Sequence, residues 1–243
     1  ACLRINPGNI GGQDRVRSVV EKAGERRIPI RIGVNAGSLE KDLLEKFGGA
    51  TPEAMVASAL GHLELLEKEG FYQTKVSLKA SDVIRTVQAY RLLARQVDYP
   101  LHLGITEAGT TFGGTIRSSV GLGILLAEGI GDTIRVSLTG DGVDEVKVGF
   151  EILRNLGLRP GGFRLVSCPS CGRVQIDLQN VAQQIEAGLR EINHENLTYA
   201  VMGCAVNGPG EARDADLGVA GGNGEGLIYL KGRLIRKVPE ADI

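Results

Sequence analysis

The chain has 243 residues, 42% hydrophobic and 23% charged, with a formal net charge of −1. That balance is ordinary for a globular protein and gives no electrostatic reason for nucleic acid or an anionic membrane as the main partner. No run reaches the roughly 18 apolar residues that a bilayer span needs, and with no Trp and 4% aromatics the chain is poorly equipped for base stacking.

In chain order, short β-branched runs alternate with amphipathic stretches. Strands are expected at Leu3–Asn6, Ile30–Val34, Gln73–Ser77, Leu101–Ile105 and Thr133–Val136. Helices are expected near Gln13–Ala23, Glu40–Phe47, Glu53–Lys68, Asp82–Gln96, Arg117–Ala127 and Val143–Leu156. Thr51 and Asp82 stand where helix N-caps belong. A strand–helix alternation every 30 residues or so argues for a parallel sheet, either open and doubly wound or closed as a (β/α)8 barrel. Five βα units fall within 1–157, whereas a barrel needs eight, and the opening residues Ala1-Cys2-Leu3-Arg4 read like a strand entered midway. The expectation is the C-terminal part, about five βα units, of a TIM-type (β/α)8 barrel. A complete five-strand open sheet is the competing reading.

Leu158-Arg-Pro-Gly-Gly162 reads as a linker. Beyond it come an expected strand (Phe163–Val166), a helix (Leu178–Ile192) and a strand (Thr198–Met202). A Gly-rich bend and two short strands (Leu227–Leu230, Arg233–Lys237) follow. The domain expectation is thus 1–157 for the barrel part and 162–243 for a small α+β domain. Gly221-Gly-Asn-Gly224 precedes a strand and reads as a turn.

Three cysteines and a glutamate dominate the small domain. Cys168-Pro-Ser-Cys171 is followed, 32 residues on, by Gly203-Cys204-Ala-Val-Asn207-Gly-Pro-Gly-Glu211. A CxxC pair grips one side of a metal or cluster, and a distant third cysteine closes it from another strand. Gly208-Pro-Gly210 is expected to bend the chain so that Glu211 returns toward Cys204. A carboxylate is a harder and more labile ligand than thiolate. Spacing alone leaves an iron–sulfur cluster and a structural zinc both open. Cys2, in the expected first strand, reads as an inert packing residue. Clustered cysteines suit a reducing compartment, the cytoplasm, or a plastid stroma in a plant.

The expected strands carry a polar set at their ends: Arg4 and Asn6; Arg31 and Asn35; Lys79; His102 and Glu107; Arg135 and Ser137. In parallel α/β folds the C-terminal strand ends face the active site. Cations and amide or hydroxyl donors there suit a phosphate or diphosphate, and Glu107 among cations is placed for proton transfer. His102, at the start of its strand, is the weakest member. No Walker A, GxGxxG, HExxH or GxSxG motif is present.

Arg4-Ile-Asn-Pro-Gly-Asn-Ile10, Arg31-Ile-Gly-Val-Asn-Ala-Gly-Ser-Leu39, Lys79-Ala-Ser-Asp82, His102-Leu-Gly-Ile-Thr-Glu-Ala-Gly109 and Gly129-Ile-Gly-Asp-Thr-Ile-Arg-Val-Ser137, with both cysteine motifs, resemble the 4-hydroxy-3-methylbut-2-enyl diphosphate synthase family of the non-mevalonate isoprenoid pathway. The resemblance implies reductive opening of 2-C-methyl-D-erythritol 2,4-cyclodiphosphate, with electrons from flavodoxin or ferredoxin passing through a 4Fe–4S cluster. By motif, Cys168, Cys171, Cys204 and Glu211 would ligate the cluster. Arg4, Asn6, Arg31, Asn35, Lys79 and Ser137 would hold the substrate, and Glu107 would supply or relay a proton. The resemblance further implies a homodimer. It also implies a barrel that begins about three βα units earlier, so that the present chain alone is expected to be unstable and inactive. The competing function is a phosphate-substrate (β/α)-barrel hydrolase or transferase with a structural zinc ribbon.

Overall fold

The computed structural model describes residues 2–192, 195–204 and 206–243, with Glu195 described only in its backbone. Ala1, at the head of the expected first strand, and Ala205, inside the second cysteine motif, lie outside the described residues. The chain forms two compact units, Ala1–Leu158 and Arg159–Ile243.

The first unit alternates strand and helix. Its strands are β1 (Leu3–Ile5), β2 (Ile30–Asn35), β3 (Thr74–Lys79), β4 (His102–Leu103) and β5 (Thr133–Ile134). Its helices are α1 (Pro7–Ile10), α2 (Gln13–Glu25), α3 (Lys41–Phe47), α4 (Pro52–Lys68), α5 (Val83–Ala94), α6 (Thr111–Ala127) and α7 (Gly142–Asn155). Strands β1, β2 and β3 pair in parallel, with Arg4 beside Arg31 beside Lys75, and Asn35 beside Lys79. A parallel bridge between Val76 and Leu101 carries the pairing on to β4, where His102 stands beside Thr133 of β5.

Side chains alternate between the two faces of a strand, and here they sort cleanly. Ile5, Ile32, Val34, Val76, Leu78 and Leu103 are buried on one face, in a core shared with Ala59, Leu63, Val87 and Leu122 of the helices. Each such side chain contributes about 2 kcal/mol of apolar burial. The opposite face carries Arg4, Arg31, Gly33, Asn35, Lys75, Ser77, Lys79, His102 and Gly104. The helices are capped as expected: Thr51 Oγ1 accepts from the Ala54 amide at 3.2 Å, and Asp82 Oδ1 from the Arg85 amide at 2.6 Å.

Strands β4 and β5 are shorter than expected, and for β4 the reason lies in α5. The Val76 amide donates to the Pro100 carbonyl, so the next ladder bond would join Leu78 N–H to the His102 carbonyl. The buried Tyr90 hydroxyl sits in that gap instead, accepting from Leu78 N–H at 2.9 Å and donating to the His102 carbonyl at 2.6 Å. One step further along, the Ala80 amide donates to Thr86 Oγ1. Two side chains of one helix therefore hold β3 and β4 apart. Pairing continues beyond β5 proper, because Arg135 N–H donates to the Leu103 carbonyl.

Two further expectations fail in this unit. Helix α6 begins at Thr111, not Arg117: Gly113 and Gly114 look like loop residues, but a Cβ on Gly114 would collide with Leu138. Cys2 precedes β1 and is exposed rather than packed, because β1 pairs on one side only among the described strands.

The second unit comprises β6 (Gly162–Ser167), α8 (Leu178–Arg190), β7 (Glu195–Met202), α9 (Gly208–Asp214), β8 (Leu217–Gly222), β9 (Glu225–Leu230) and β10 (Arg233–Pro239). The sheet order is β10-β9-β8-β7-β6, parallel from β6 to β8 and antiparallel from β8 to β10. Ala200, Met202, Ala220 and Tyr229 pack with Ala212 of α9, while Val201 and Val219 pack with Val181 and Ile185 of α8. The sheet is thus covered on both faces.

The expected Gly208-Pro-Gly210 bend is the first turn of α9, with Pro209 in the position where a missing N–H costs nothing. Strand β8 went unforeseen because its Leu-Gly-Val-Ala-Gly-Gly sequence lacks strand propensity; it exists because small residues let α9 lie close against it. The expected turn narrows to Asn223-Gly224, both at positive φ (54° and 71°), as a two-residue hairpin requires.

Candidate functional site

The polar face of the first unit is strongly cationic. The Arg4 side chain lies across Gly33 and donates from Nη2 to its carbonyl at 3.0 Å; a Cβ on Gly33 would occupy the same space. Lys79 lies over Gly104, where a Cβ would stand 3.0 Å from Nζ and 2.8 Å from the Arg135 carbonyl. Missing side chains at two strand positions therefore make room for two cations. None of the ion pairs among the described residues includes Arg4, Arg31, Lys75, Lys79 or Arg135. Lys79 is buried, and burial first, then Arg31, Arg135 and Arg4, lowers its pKa from 10.5 to about 8. Burial and Arg4 also lower Arg31, whose buried Nε has no hydrogen-bond partner among the described residues. Cations crowded together without counter-ions form a site that an anion stabilises.

The other expected members are dispersed around this cluster. Asn6 stands at the N-cap position of α1 without a side-chain capping bond; it donates from Nδ2 to Ser38 Oγ at 3.1 Å, leaving its buried Oδ1 unpaired. Asn35 closes β2 beside Lys79, and half-buried Ser137 follows β5. Glu107 is exposed at the tip of the β4–α6 loop, in left-handed backbone with φ 52°. It forms no ion pair with the cations among the described residues. Its loop is tied down by Arg117, which donates to the Ala108 carbonyl at 2.8 Å, and by Thr139 N–H to the Gly109 carbonyl. A non-glycine residue held there carries strain of about 1 kcal/mol or more.

His102 is buried, with Nδ1 2.8 Å from Thr133 Oγ1. Burial first, then Lys79, Arg31, Lys75 and Arg135, lowers its pKa to about 3. The sequence signal for a whole face, rather than strand ends, was alternation: Arg-Ile-Asn, Arg-Ile-Gly-Val-Asn, Lys-Val-Ser-Leu-Lys, Arg-Val-Ser.

In the second unit, Cys168, Cys171, Cys204 and Glu211 line one cavity of about 320 Å³, with Pro169, Arg173, Asn207 and Gly208. Cys168 and Cys171 come from the loop after β6, Cys204 from the loop after β7, and Glu211 from the first turn of α9. Gly203 N–H donates to Cys168 Sγ at 3.3 Å. Backbone hydrogen bonds at Asn207, Val206 and Gly208, with nearby Arg173, lower the Cys204 pKa against the opposing effect of burial. Such N–H groups favour a thiolate. As the side chains stand, no three His, Cys, Asp or Glu residues among those described are close enough to hold one metal ion. The donors surround a space rather than a point. Arg173 and Asn207 belong to this cavity but escaped the sequence reading, because neither is a soft metal ligand.

Among the described residues, no helix is long and apolar enough to cross a membrane. Comparison with known proteins matches residues 1–150 to the GcpE TIM-barrel domain and residues 164–243 to the GcpE protein C-terminal domain. The chain is 67% identical over 241 residues to the 4-hydroxy-3-methylbut-2-en-1-yl diphosphate synthase (flavodoxin) of Geobacter sulfurreducens, covering 99% of this chain and 68% of that protein. It is 64% identical over 237 residues to the enzyme of that name from Maridesulfovibrio salexigens, covering 98% and 66%. The like-named Clostridium perfringens enzyme is 56% identical over 243 residues, covering 100% and 69%. The chain spans about two thirds of the length of these relatives. The cation-lined face falls within one matched domain and the cysteine–glutamate cavity within the other, and the chain belongs to the GcpE family.

Proposed function

We propose that the enzyme to which this chain belongs performs the family's reaction, reductive ring opening and dehydroxylation of 2-C-methyl-D-erythritol 2,4-cyclodiphosphate to 4-hydroxy-3-methylbut-2-enyl diphosphate. The observation that carries the reading is the gathering of Cys168, Cys171, Cys204 and Glu211 on one cavity. Three thiolates and a carboxylate around a space of that size suit a 4Fe–4S cluster better than one tetrahedral zinc. When bound, the cluster supplies the two electrons the reaction consumes, one at a time. Residues 162–243 form the cluster domain and residues 1–157, the C-terminal part of a (β/α)8 barrel, the substrate domain.

Within the substrate domain, Arg4, Arg31 and Lys79 neutralise the diphosphate, and Asn6, Asn35 and Ser137 orient it through hydrogen bonds. Glu107 protonates the departing hydroxyl, which leaves as water; the strain in its backbone supports an active role. Flavodoxin, named in the relatives, is the electron donor, and bacterial relatives of a metabolic enzyme support a cytoplasmic setting. An exposed apolar stripe on α6, Phe112, Ile116 and Val120, supports a homodimer. The zinc-ribbon hydrolase or transferase has no counterpart among these relatives.

The test is metal and sulfide content of protein purified without oxygen, together with turnover of the cyclodiphosphate with reduced flavodoxin. About four iron and four sulfide per chain are expected. Stoichiometric zinc without sulfide overturns the reading.

A further inference from the structure

His102, on the cation-lined face, has one ring nitrogen without a partner among the described residues and no role in the reading above. His102 is 8% exposed, and its Nε2 makes no hydrogen bond among the described residues. The register places it on the face of Ser77 and Thr133, between the rows of Arg31 and Lys79. A core histidine normally satisfies both ring nitrogens, and a buried N–H left unpaired costs about 1–3 kcal/mol. Burial, and then the surrounding cations, keep the ring neutral, so one nitrogen donates and the other accepts. Nδ1 is engaged by the Thr133 hydroxyl. When that hydroxyl donates to Nδ1, the proton sits on Nε2, in a ring that Lys79, Arg31, Lys75 and Arg135 surround.

We propose that His102 is a further substrate-binding residue, whose Nε2–H donates to an oxygen of the diphosphate gripped by Arg31 and Lys79. The inference rests on the anion-site reading and adds a neutral, directional donor to a set of cations. Point charges such as Lys79 attract a diphosphate without fixing its rotation; an imidazole N–H aimed from the strand fixes one oxygen.

The experiment compares H102Q with H102N in the intact enzyme, titrating inorganic pyrophosphate and the cyclodiphosphate by calorimetry. Glutamine can place an amide nitrogen near the position of Nε2, asparagine near that of Nδ1. H102N is expected to weaken both probes about tenfold or more, and H102Q to stay within about threefold of the parent. A merely structural histidine gives the reverse, because only asparagine preserves the Thr133 bond; that result overturns the proposal. In ¹⁵N-histidine spectra of the unsubstituted enzyme, pyrophosphate is expected to shift the His102 Nε2 resonance. An unmoved resonance overturns the proposal even where both variants fail to fold. If the unsubstituted enzyme binds neither probe, the anion-site reading itself falls, and the proposal with it.

Discussion

Replacing Tyr90 by Phe tests the separation of β3 from β4. The ring is fully buried and phenylalanine preserves its packing, so no cavity term enters. What is lost is a hydroxyl that accepts from Leu78 N–H at 2.9 Å and donates to the His102 carbonyl at 2.6 Å. Leaving a buried N–H unpaired costs about 1–3 kcal/mol and losing the second bond about 1 more, so about 3 kcal/mol is expected. Tyr99→Phe is the internal control: it removes the same atom, but from a solvent-exposed bond to Glu67 at 2.8 Å, and is expected to cost less than about 1 kcal/mol. Urea denaturation with an unchanged slope measures both, and amide exchange should show Leu78 N–H losing protection in Tyr90→Phe. Equal costs for the two variants refute the reasoning. So does a cost below about 1 kcal/mol, because the strands would then have closed to form the direct Leu78–His102 bond.

Lys79 has a folded-state pKa of about 8 against 10.5, so between those values the unfolded chain binds a proton that the folded chain does not. Stability of the ligand-free protein is expected to rise with pH across that window, and below pH 8 the full penalty of about 3 kcal/mol applies. Lys79→Met should raise stability at pH 7 and flatten the slope while weakening pyrophosphate binding; a slope that survives in the variant removes Lys79 as its source. Glu107→Gln is expected to leave cyclodiphosphate affinity intact and depress turnover about 100-fold or more, and unchanged turnover takes Glu107 out of the mechanism. Gly104→Ala puts a methyl within 3.0 Å of Lys79 Nζ and against the Arg135 carbonyl, so pyrophosphate affinity should fall; parent-like affinity contradicts the close approach. Cys204→Ala should abolish iron and sulfide retention in anaerobically prepared protein, and full retention excludes Cys204 as a ligand.

Much of the first unit was legible because its strands are amphipathic at a period of two. Ile-Gly-Val in β2 and Val-Ser-Leu in β3 place apolar residues toward the helices, and the alternating cations follow automatically on the other face. Helix α4 was readable from the Thr51 cap, the Pro52 start and an apolar face. Where local preference was weak, reading failed. Helix α6 is rich in glycine, α9 begins Gly-Pro-Gly, and β8 is mostly glycine and alanine; all three owe their form to close packing.

Residue identity by itself determined the chemistry available: three thiols, one labile carboxylate, and cations alternating with apolar residues along parallel strands. Those are covalent facts with short-range spacing, and the order of strands and helices follows from periodicity. Only the tertiary structure decided which groups are left unsatisfied. The Tyr90 hydroxyl reaches Leu78 and the His102 carbonyl across 12 residues in each direction, and His102 meets Thr133 from 31 residues away. Hydrogen bonding, burial and mutual repulsion among cations depend on distances that close only when the chain has folded.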